Sequence, residues 1–272
     1  MIELSIIIVS YNTKKLTLAA VNSALSVDKS VSKEVIVIDN DSKDGSVDAL
    51  KKLKKLGKIK LILNNKNTGF SFANNQGIDI STGKHVLLLN SDTVVTPGAL
   101  KNLVDFAEEN PDAGVVGSRL LNADGSLQPS CVRFPTIKNA ILEYWFNKKG
   151  LFDKYAPKGK SVVTVDALVG ASFLMTQKAL KDVGKLNEKF YFYFEDIDYC
   201  RSVYKAGLKV YYLPTSVIYH YHGASGKNLA DASNQWRRLI PSSKVYHGLL
   251  KHYLLTAVLW TGQKWQRLKG WV

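Results

Sequence analysis

The sequence predicts an α/β protein, doubly wound around a mostly parallel sheet with a C-terminal helical appendage, and three observations carry that prediction. Short runs that are apolar on both faces alternate with amphipathic runs through the first half of the chain. Strands of that kind suit a sheet covered by helices on both sides. Polar residues gather where those runs end, at Ser10-Tyr11-Asn12, Asp39-Asn40-Asp41-Ser42 and Asn90-Ser91-Asp92. A chain of 272 residues with 46% hydrophobic and 22% charged residues also has enough apolar material for a substantial core.

The first strand, 4–9, is continuous and rich in β-branched residues, and a helix follows over 14–25. The pattern continues with a strand at 34–38, a helix at 47–56, a strand at 59–63, a helix at 70–80 and a strand at 85–89. After Pro97 a helix reaches Asn110 and a strand covers 114–117. The character then changes: Asn122-Ala123-Asp124-Gly125 reads as a hairpin turn, and Pro129, Pro135 and Pro157 mark a loop-rich section. Strands return at 162–167 and 173–176, a helix spans 196–206 and ends at Gly207, and a last strand at 209–213 is stopped by Pro214. The expected division is a catalytic domain over 1–228, with halves 1–117 and 118–228, followed by a basic amphipathic helical segment over 229–272.

Cys131 and Cys200 are too few for a disulfide framework and fit a reducing compartment, so a cytoplasmic location is expected. The sequence shows no secretory leader and no apolar run of the roughly 18 residues that a membrane span requires. The net charge is +14, and the tail carries Arg237, Arg238, Lys244, Lys251, Lys264, Arg267 and Lys269 against Asp231 alone. Trp236, Trp260, Trp265 and Trp271 lie in the same stretch. Basic charge interleaved with Trp points to an anionic membrane surface rather than nucleic acid. Leu250, Leu254, Val258, Thr261, Trp265 and Leu268 recur at helical spacing and predict an apolar stripe, either on a membrane or packed on the catalytic domain. The run Lys51, Lys52, Lys54, Lys55, Lys58 and Lys60 reads instead as a solvated helix face.

In open parallel sheets, ligands bind outside the carboxyl ends of the strands. Asp39 at such an end is a fixed acceptor for a base N–H or a ribose hydroxyl. Asp92 emerges after an apolar strand, and Mg²⁺ or Mn²⁺ bridging a diphosphate takes one or two carboxylates of this kind. Each acidic group also has a plain structural reading as a turn residue or helix cap. Glu195 and Asp196 in particular stand where they would cap the helix at 196–206.

The motifs 6–12, 37–45, 65–70 with 73–77, and 88–92, followed by Gly170-Ala171-Ser172-Phe173-Leu174-Met175, Phe194-Glu195-Asp196-Ile197-Asp198-Tyr199-Cys200-Arg201 and His220-Tyr221-His222-Gly223-Ala224-Ser225, resemble in order those of family 2 glycosyltransferases. The chain is most similar to the rhamnosyltransferase-like branch. That resemblance implies a Rossmann-like GT-A fold and an inverting, metal-dependent sugar transfer from a dTDP-sugar, with a UDP-sugar as the alternative, to a glycan or polyprenyl-linked acceptor. It implies Ser10, Tyr11, Asn12, Asp39, Asn75, Asn90 and Ser91 at the nucleotide-sugar, and Gly170, Ala171 and Glu195 at the acceptor. It also implies Asp196 as general base and Asp92 with His220 on the metal, with His222 as the alternative ligand. Asn90 stands where the family's Asp-x-Asp motif has its first Asp. Arg133 is a candidate for the donor diphosphate. A sugar nucleotidyltransferase is the main alternative, although the loop Ser10–Lys15 lacks the glycines of a triphosphate cradle. No Gly-x-Gly-x-x-Gly follows the first strand, which argues against a dinucleotide oxidoreductase. A non-enzymatic basic membrane-binding module accounts for the charge but not for the clustered carboxylates.

Overall fold

A computed structural model describes residues 1–221 and 235–271 of the chain. β1 (Leu4–Ser10), α1 (Lys14–Ser26), β2 (Lys33–Asp39), α2 (Ser46–Lys55), β3 (Lys60–Leu63), α3 (Phe70–Asp79) and β4 (His85–Leu89) reproduce the expected alternation. They are followed by β5 (Thr93–Val95), α4 (Ala99–Glu109), β6 (Ala113–Leu121), β7 (Cys131–Val132), α5 (Ile137–Tyr144), β8 (Val163–Thr164), β9 (Ala167–Leu168) and β10 (Ser172–Met175). The remaining elements are α6 (Gln177–Asp182), α7 (Glu195–Lys205), β11 (Lys209–His220), α8 (Gln235–His247) and α9 (Leu249–Leu268).

The main sheet has the order β3-β2-β1-β4-β10-β6-β11-β5, with β8 also on β11. Pairing is parallel from β3 to β4 and again between β6 and β11. β10 runs antiparallel to both β4 and β6, and β5 and β8 run antiparallel to β11, so the sheet is mixed beyond β4. The period-2 geometry of a strand explains why the early runs are apolar throughout. Leu4, Ile6, Ile8, Val35, Val37, Leu87 and Leu89 face one core with α1, α2 and α4. Ile7, Ile36, Ile38, Val86 and Leu88 face the other, which α3, α6 and α7 cover through Ala73, Ala179, Tyr199, Cys200 and Val203.

Several elements differ from the sequence-based expectation. Pro214 does not stop the last strand: β11 continues to His220, and Pro214 falls inside a register shift between Leu213 and Val217, where the ladder can spare an N–H. The strand expected at 162–167 divides into β8 on β11 and β9 on β7, so that one stretch serves two sheets. The tail is two helices separated by Gly248 (φ +77°) rather than one segment, and α9 is docked. His252, Leu255, Gly262 and Gln266 form its buried face. A Cβ at Gly262 would stand 2.6 Å from the Tyr144 side chain, so glycine permits the close approach to α5. Trp145 Nε1 donates to Val258 O (3.3 Å), Gln266 Nε2 donates to Glu143 O (3.2 Å), and the Trp145 and Trp265 rings stack. Residues 222–225, the proposed domain boundary at 228, and the side chains of Trp236, Arg237 and Arg238 lie outside the described residues.

Candidate functional site

The mixed sheet brings distant residues to one edge. β1, β2 and β4 end there, β10 begins there with Ser172 opposite Leu89, and β11 ends there with His220 opposite Thr93. Asp39, at the end of β2, is fully buried. Its Oδ1 accepts from Ser42 N (2.8 Å), while Oδ2 has no hydrogen-bond partner among the described residues. A buried, unmatched carboxylate oxygen is costly unless a ligand donor completes it.

The neighbouring polar residues mainly shape this edge. Asn12 adopts a left-handed conformation (φ +52°) and joins the first two loops, with its N–H on Ser42 Oγ (2.8 Å) and its Oδ1 accepting from Lys43 N (2.6 Å). Tyr11 beside it is half-buried. Ser10 and Ser91 are the ends of a buried hydroxyl chain through Thr17 and Thr13, which ties β1 to the end of β4. Asn75 uses its amide on another segment: Nδ2 donates to Leu186 O and Glu188 Oε1, and Oδ1 accepts from Leu186 N. Its bonds anchor that segment, which leads toward α7.

Asp92 and His220 are brought together by β5, a strand that the sequence reading did not include. Pairing of β5 with β11 sets Thr93 against His220, and Tyr221 N donates to Asp92 O (2.8 Å). Asp92 Oδ1 and His220 Nε2 stand 3.3 Å apart, with both side chains buried. Asn90 Nδ2 lies 3.5 Å from the same nitrogen, and Gln128 Oε1 lies 2.7 Å from Nδ1. The Asp92 carboxylate oxygen and the His220 imidazole nitrogen, 3.3 Å apart, are the donors that would hold a Mg²⁺ or Mn²⁺ ion at this edge. Among the described residues no group of three or more His, Cys, Asp or Glu forms a closed cage. An open site of that type suits an ion shared with substrate phosphates.

The acidic pair opens α7. Tyr193 and Phe194 precede it with φ of +71° and +70°, a conformation that costs such residues of order 1–3 kcal/mol each. Packing from α8 holds the turn: Ser242 Oγ donates to Phe192 O (2.8 Å), and the Phe194 ring lies against Tyr246 and His247. On the other side Phe70 N donates to Tyr191 O (2.8 Å), directly after Gly69. Gly69 has φ +84° and ψ 177°, a region that only glycine adopts readily, and a Cβ there would meet Tyr191 O at 2.5 Å.

Asp196 Oδ2 accepts from Gly170 N (3.0 Å) and Oδ1 from Ile197 N (2.8 Å). Ala171 O accepts from Asn90 N (3.1 Å), so the backbone of Gly170 and Ala171 links the acidic pair to the end of β4. Glu195 is buried, and its Oε2 has no partner among the described residues. Burial, reinforced by the neighbouring Asp196 charge, pushes the Glu195 carboxyl well above the usual range. Burial also raises Asp196, opposed by the Ile197 N–H, the Lys154 charge and the Gly170 N–H. Both carboxyls thus titrate above the usual carboxylate range, and the Asp196 oxygens keep lone pairs for a further donor.

Arg133 has other neighbours. Its Nε donates to Gly150 O (3.2 Å) and its guanidinium lies 5.3 Å from the centroid of the Tyr155 ring. Gln128 and Asn40 were absent from the sequence-based site. Asn40 is buried and joins the end of β2 to Asn64, Asn67, Thr68 and Gly69. Its place directly after Asp39 was the one available signal for it. Gln128, in a proline-flanked loop, offered none.

A family model described as glycosyl transferase family 2 matches residues 5–182, which is more than half of the chain. The N-acetylglucosaminyl-diphospho-decaprenol L-rhamnosyltransferase of Mycobacterium tuberculosis is 26% identical over 219 residues, covering 74% of this chain and 70% of that protein. The GalNAc(5)-diNAcBac-PP-undecaprenol beta-1,3-glucosyltransferase of Campylobacter jejuni is 29% identical over 192 residues, covering 70% and 56%. Among solved structures, GalNAc-T7 with UDP, GalNAc and Mn²⁺ superposes with a TM-score of 0.64 at 16% identity. That match covers 81% of this chain and 44% of the other, so the chain spans less than half of the GalNAc-T7 chain. The likeness is one of fold, the GT-A fold.

Proposed function

Because the chain belongs to glycosyl transferase family 2, we propose that it moves rhamnose or another deoxysugar from a nucleotide diphosphate donor to a glycan or polyprenyl-linked acceptor, with inversion, in the synthesis of cell-surface polysaccharide. The observation that carries the reading is the meeting at one sheet edge of three separate devices: the unmatched Asp39 oxygen, the Asp92–His220 pair and the acidic pair of buried Glu195 and half-buried Asp196. Asp39 receives a donor from the base or ribose. Asp92 and His220 would hold a Mg²⁺ or Mn²⁺ ion, which when bound would supply charge neutralisation at the leaving diphosphate. Asp196 takes the proton of the acceptor hydroxyl as that oxygen attacks the sugar carbon from the side opposite the leaving group. Gly170 N–H and Ile197 N–H orient its carboxylate for that task.

The acceptor reading is supported by the relatives, whose names specify decaprenol- and undecaprenol-linked substrates. A dTDP-sugar is the preferred donor and a UDP-sugar the alternative. Incubating the chain with a panel of nucleotide sugars and Mn²⁺ tests this choice through release of the nucleoside diphosphate. We expect dTDP-rhamnose to be turned over fastest; selective turnover of a UDP-hexose would replace the deoxysugar assignment.

No described helix is long and apolar enough to cross a membrane. The face of α9 opposite its docked side nevertheless exposes Leu249, Leu250, Tyr253, Leu254, Trp260 and Leu268. Lys264 lies over the Trp260 ring and Lys269 over the Trp265 ring. Apolar and aromatic groups flanked by lysines suit the headgroup region of an anionic bilayer, where each basic residue contributes on the order of 1 kcal/mol. This face would hold the enzyme peripherally at the cytoplasmic side, close to a lipid-linked acceptor. Leu250→Asp with Trp260→Asp and Leu268→Asp should abolish flotation with phosphatidylglycerol liposomes without lowering the melting temperature, since all three side chains are exposed. Unchanged flotation would remove the membrane role.

A further inference from the structure

We infer that Gln128 is a positioning residue that fixes His220 in the tautomer whose Nε2 is an electron-pair donor, and so sets how tightly a divalent cation is held beside Asp92. The inference rests on the metal reading of Asp92 and His220 and adds a residue to which neither the family likeness nor the sequence assigns a role.

The donors and acceptors around the His220 ring form a forced chain. Gln128 is 5% exposed and follows the turn at Asn122–Ser126, with its N–H on Leu120 O (2.9 Å). One atom of its side-chain amide lies 3.0 Å from the carbonyl oxygen of His220. A backbone carbonyl only accepts, so that amide atom must be the NH₂ nitrogen. The second hydrogen is accounted for independently. The nitrogen also lies 2.7 Å from Asn122 Oδ1, and Asn122 is itself oriented because its Nδ2 donates to Ser126 Oγ, whose own hydrogen goes to Asp124 Oδ1. Gln128 Oε1 is then the atom 2.7 Å from His220 Nδ1. An amide oxygen cannot donate, so Nδ1 carries the proton.

In the neutral ring this makes Nε2 the lone-pair nitrogen, and Nε2 is the atom facing Asp92 Oδ1 at 3.3 Å. Asn90 Nδ2, at 3.5 Å, is a weak donor toward the same lone pair. Histidine ligands commonly donate their other ring N–H to an oxygen that fixes the tautomer and raises ligand basicity, and loss of that partner typically weakens metal binding about 10- to 100-fold. Gln128 satisfies that requirement from a separate loop. Its donation to His220 O locks backbone and ring together.

The test uses the full chain and two readouts. Nitrogen-15 NMR of the metal-free protein, recorded at a pH where the His220 ring is neutral and with His220 assigned through a His220→Gln variant, should show the Nδ1-protonated tautomer in the wild type and a shift toward the Nε2-protonated form in Gln128→Leu. Titration with Mn²⁺ followed by electron paramagnetic resonance should show binding weakened about 10- to 100-fold in Gln128→Leu. In Gln128→Glu, which retains an acceptor for Nδ1–H, affinity should stay within a few-fold of the wild type. An Nε2-protonated His220 in the wild type, or unaltered Mn²⁺ affinity in Gln128→Leu, overturns the inference. Failure of the wild type to bind Mn²⁺, with the Nδ1 tautomer intact, would instead overturn the metal reading on which the affinity half depends.

Discussion

Replacing Asp196 by Asn is expected to lower turnover by roughly 10²–10⁴-fold, the range for loss of a positioned general base, while donor affinity stays near the wild-type value. The substitution keeps the shape of the side chain and one oxygen to accept from Gly170 or Ile197, so the start of α7 should survive it. Donor contacts are proposed on Asp39 and Asp92, which belong to other strands. Measuring donor affinity by calorimetry alongside turnover separates the outcomes. Near-normal turnover would reassign the base to Glu195, and lost donor binding would make Asp196 a support for the fold or the metal site.

The Glu195–Asp196 pair also fixes the direction of the pH effects. Asp196 must be ionised to accept a proton, so activity should fall on the acid side through its raised pKa. Stability runs the other way. Both carboxyls titrate higher in the folded state than in the unfolded chain, so their contribution to stability is complete below the ordinary carboxylate range. It is lost as the pH rises through the raised folded values. Asp196→Asn and Glu195→Gln should therefore raise the melting temperature at neutral pH even as the first removes activity. A site held at some cost in stability is expected where charge is used chemically.

Asp92→Ala carries the second large effect. Removing this carboxylate leaves His220 as the one proposed protein ligand, and activity should drop by roughly 10²–10³-fold, comparable to losing one preorganised electrostatic group. The loss should lie in metal response: EDTA-treated wild type regains activity on Mn²⁺ titration, and Asp92→Ala does not at concentrations that saturate the wild type. If the metal-free variant kept full activity, Asp92 would have only the structural role visible in its backbone bond to Tyr221.

The first half of the fold was legible because its central strands β1, β2 and β4 are largely apolar on both faces and helices connect the strands up to β4. Leu4–Ser10, Lys33–Asp39 and His85–Leu89 could hardly pair otherwise. Past β4 the signals weaken for definite reasons. β5 has three residues and β8 and β9 two each, too short for any periodicity to register. Pro214, a reliable terminator in a regular ladder, is absorbed by a bulge that pairing partners define. Asp39 and Asp92 could be read because they close or closely follow apolar strands, and Glu195 and Asp196 because they open a helix. Their partners could not: the His220–Gln128 contact joins residues 92 positions apart, and the support of the Phe194 turn by Tyr246 comes from a helix whose sequence suggested only a membrane surface or a packed stripe. Asn75 and Ser10 illustrate the converse, polar residues in matching motifs whose bonds are spent inside the fold.

The stereochemistry and balance of the reaction test the direct displacement at the sugar carbon most directly. Incubation with the preferred nucleotide-sugar, Mn²⁺ and a polyprenyl-diphosphate-linked glycan, followed by proton and phosphorus NMR, reads the anomeric configuration of the product and the phosphorus species released together. The expected result is one nucleoside diphosphate per glycosidic bond and inverted configuration at the transferred sugar. Retained configuration would contradict the direct displacement assisted by Asp196, and release of pyrophosphate from a nucleoside triphosphate with sugar phosphate would make the protein a nucleotidyltransferase instead.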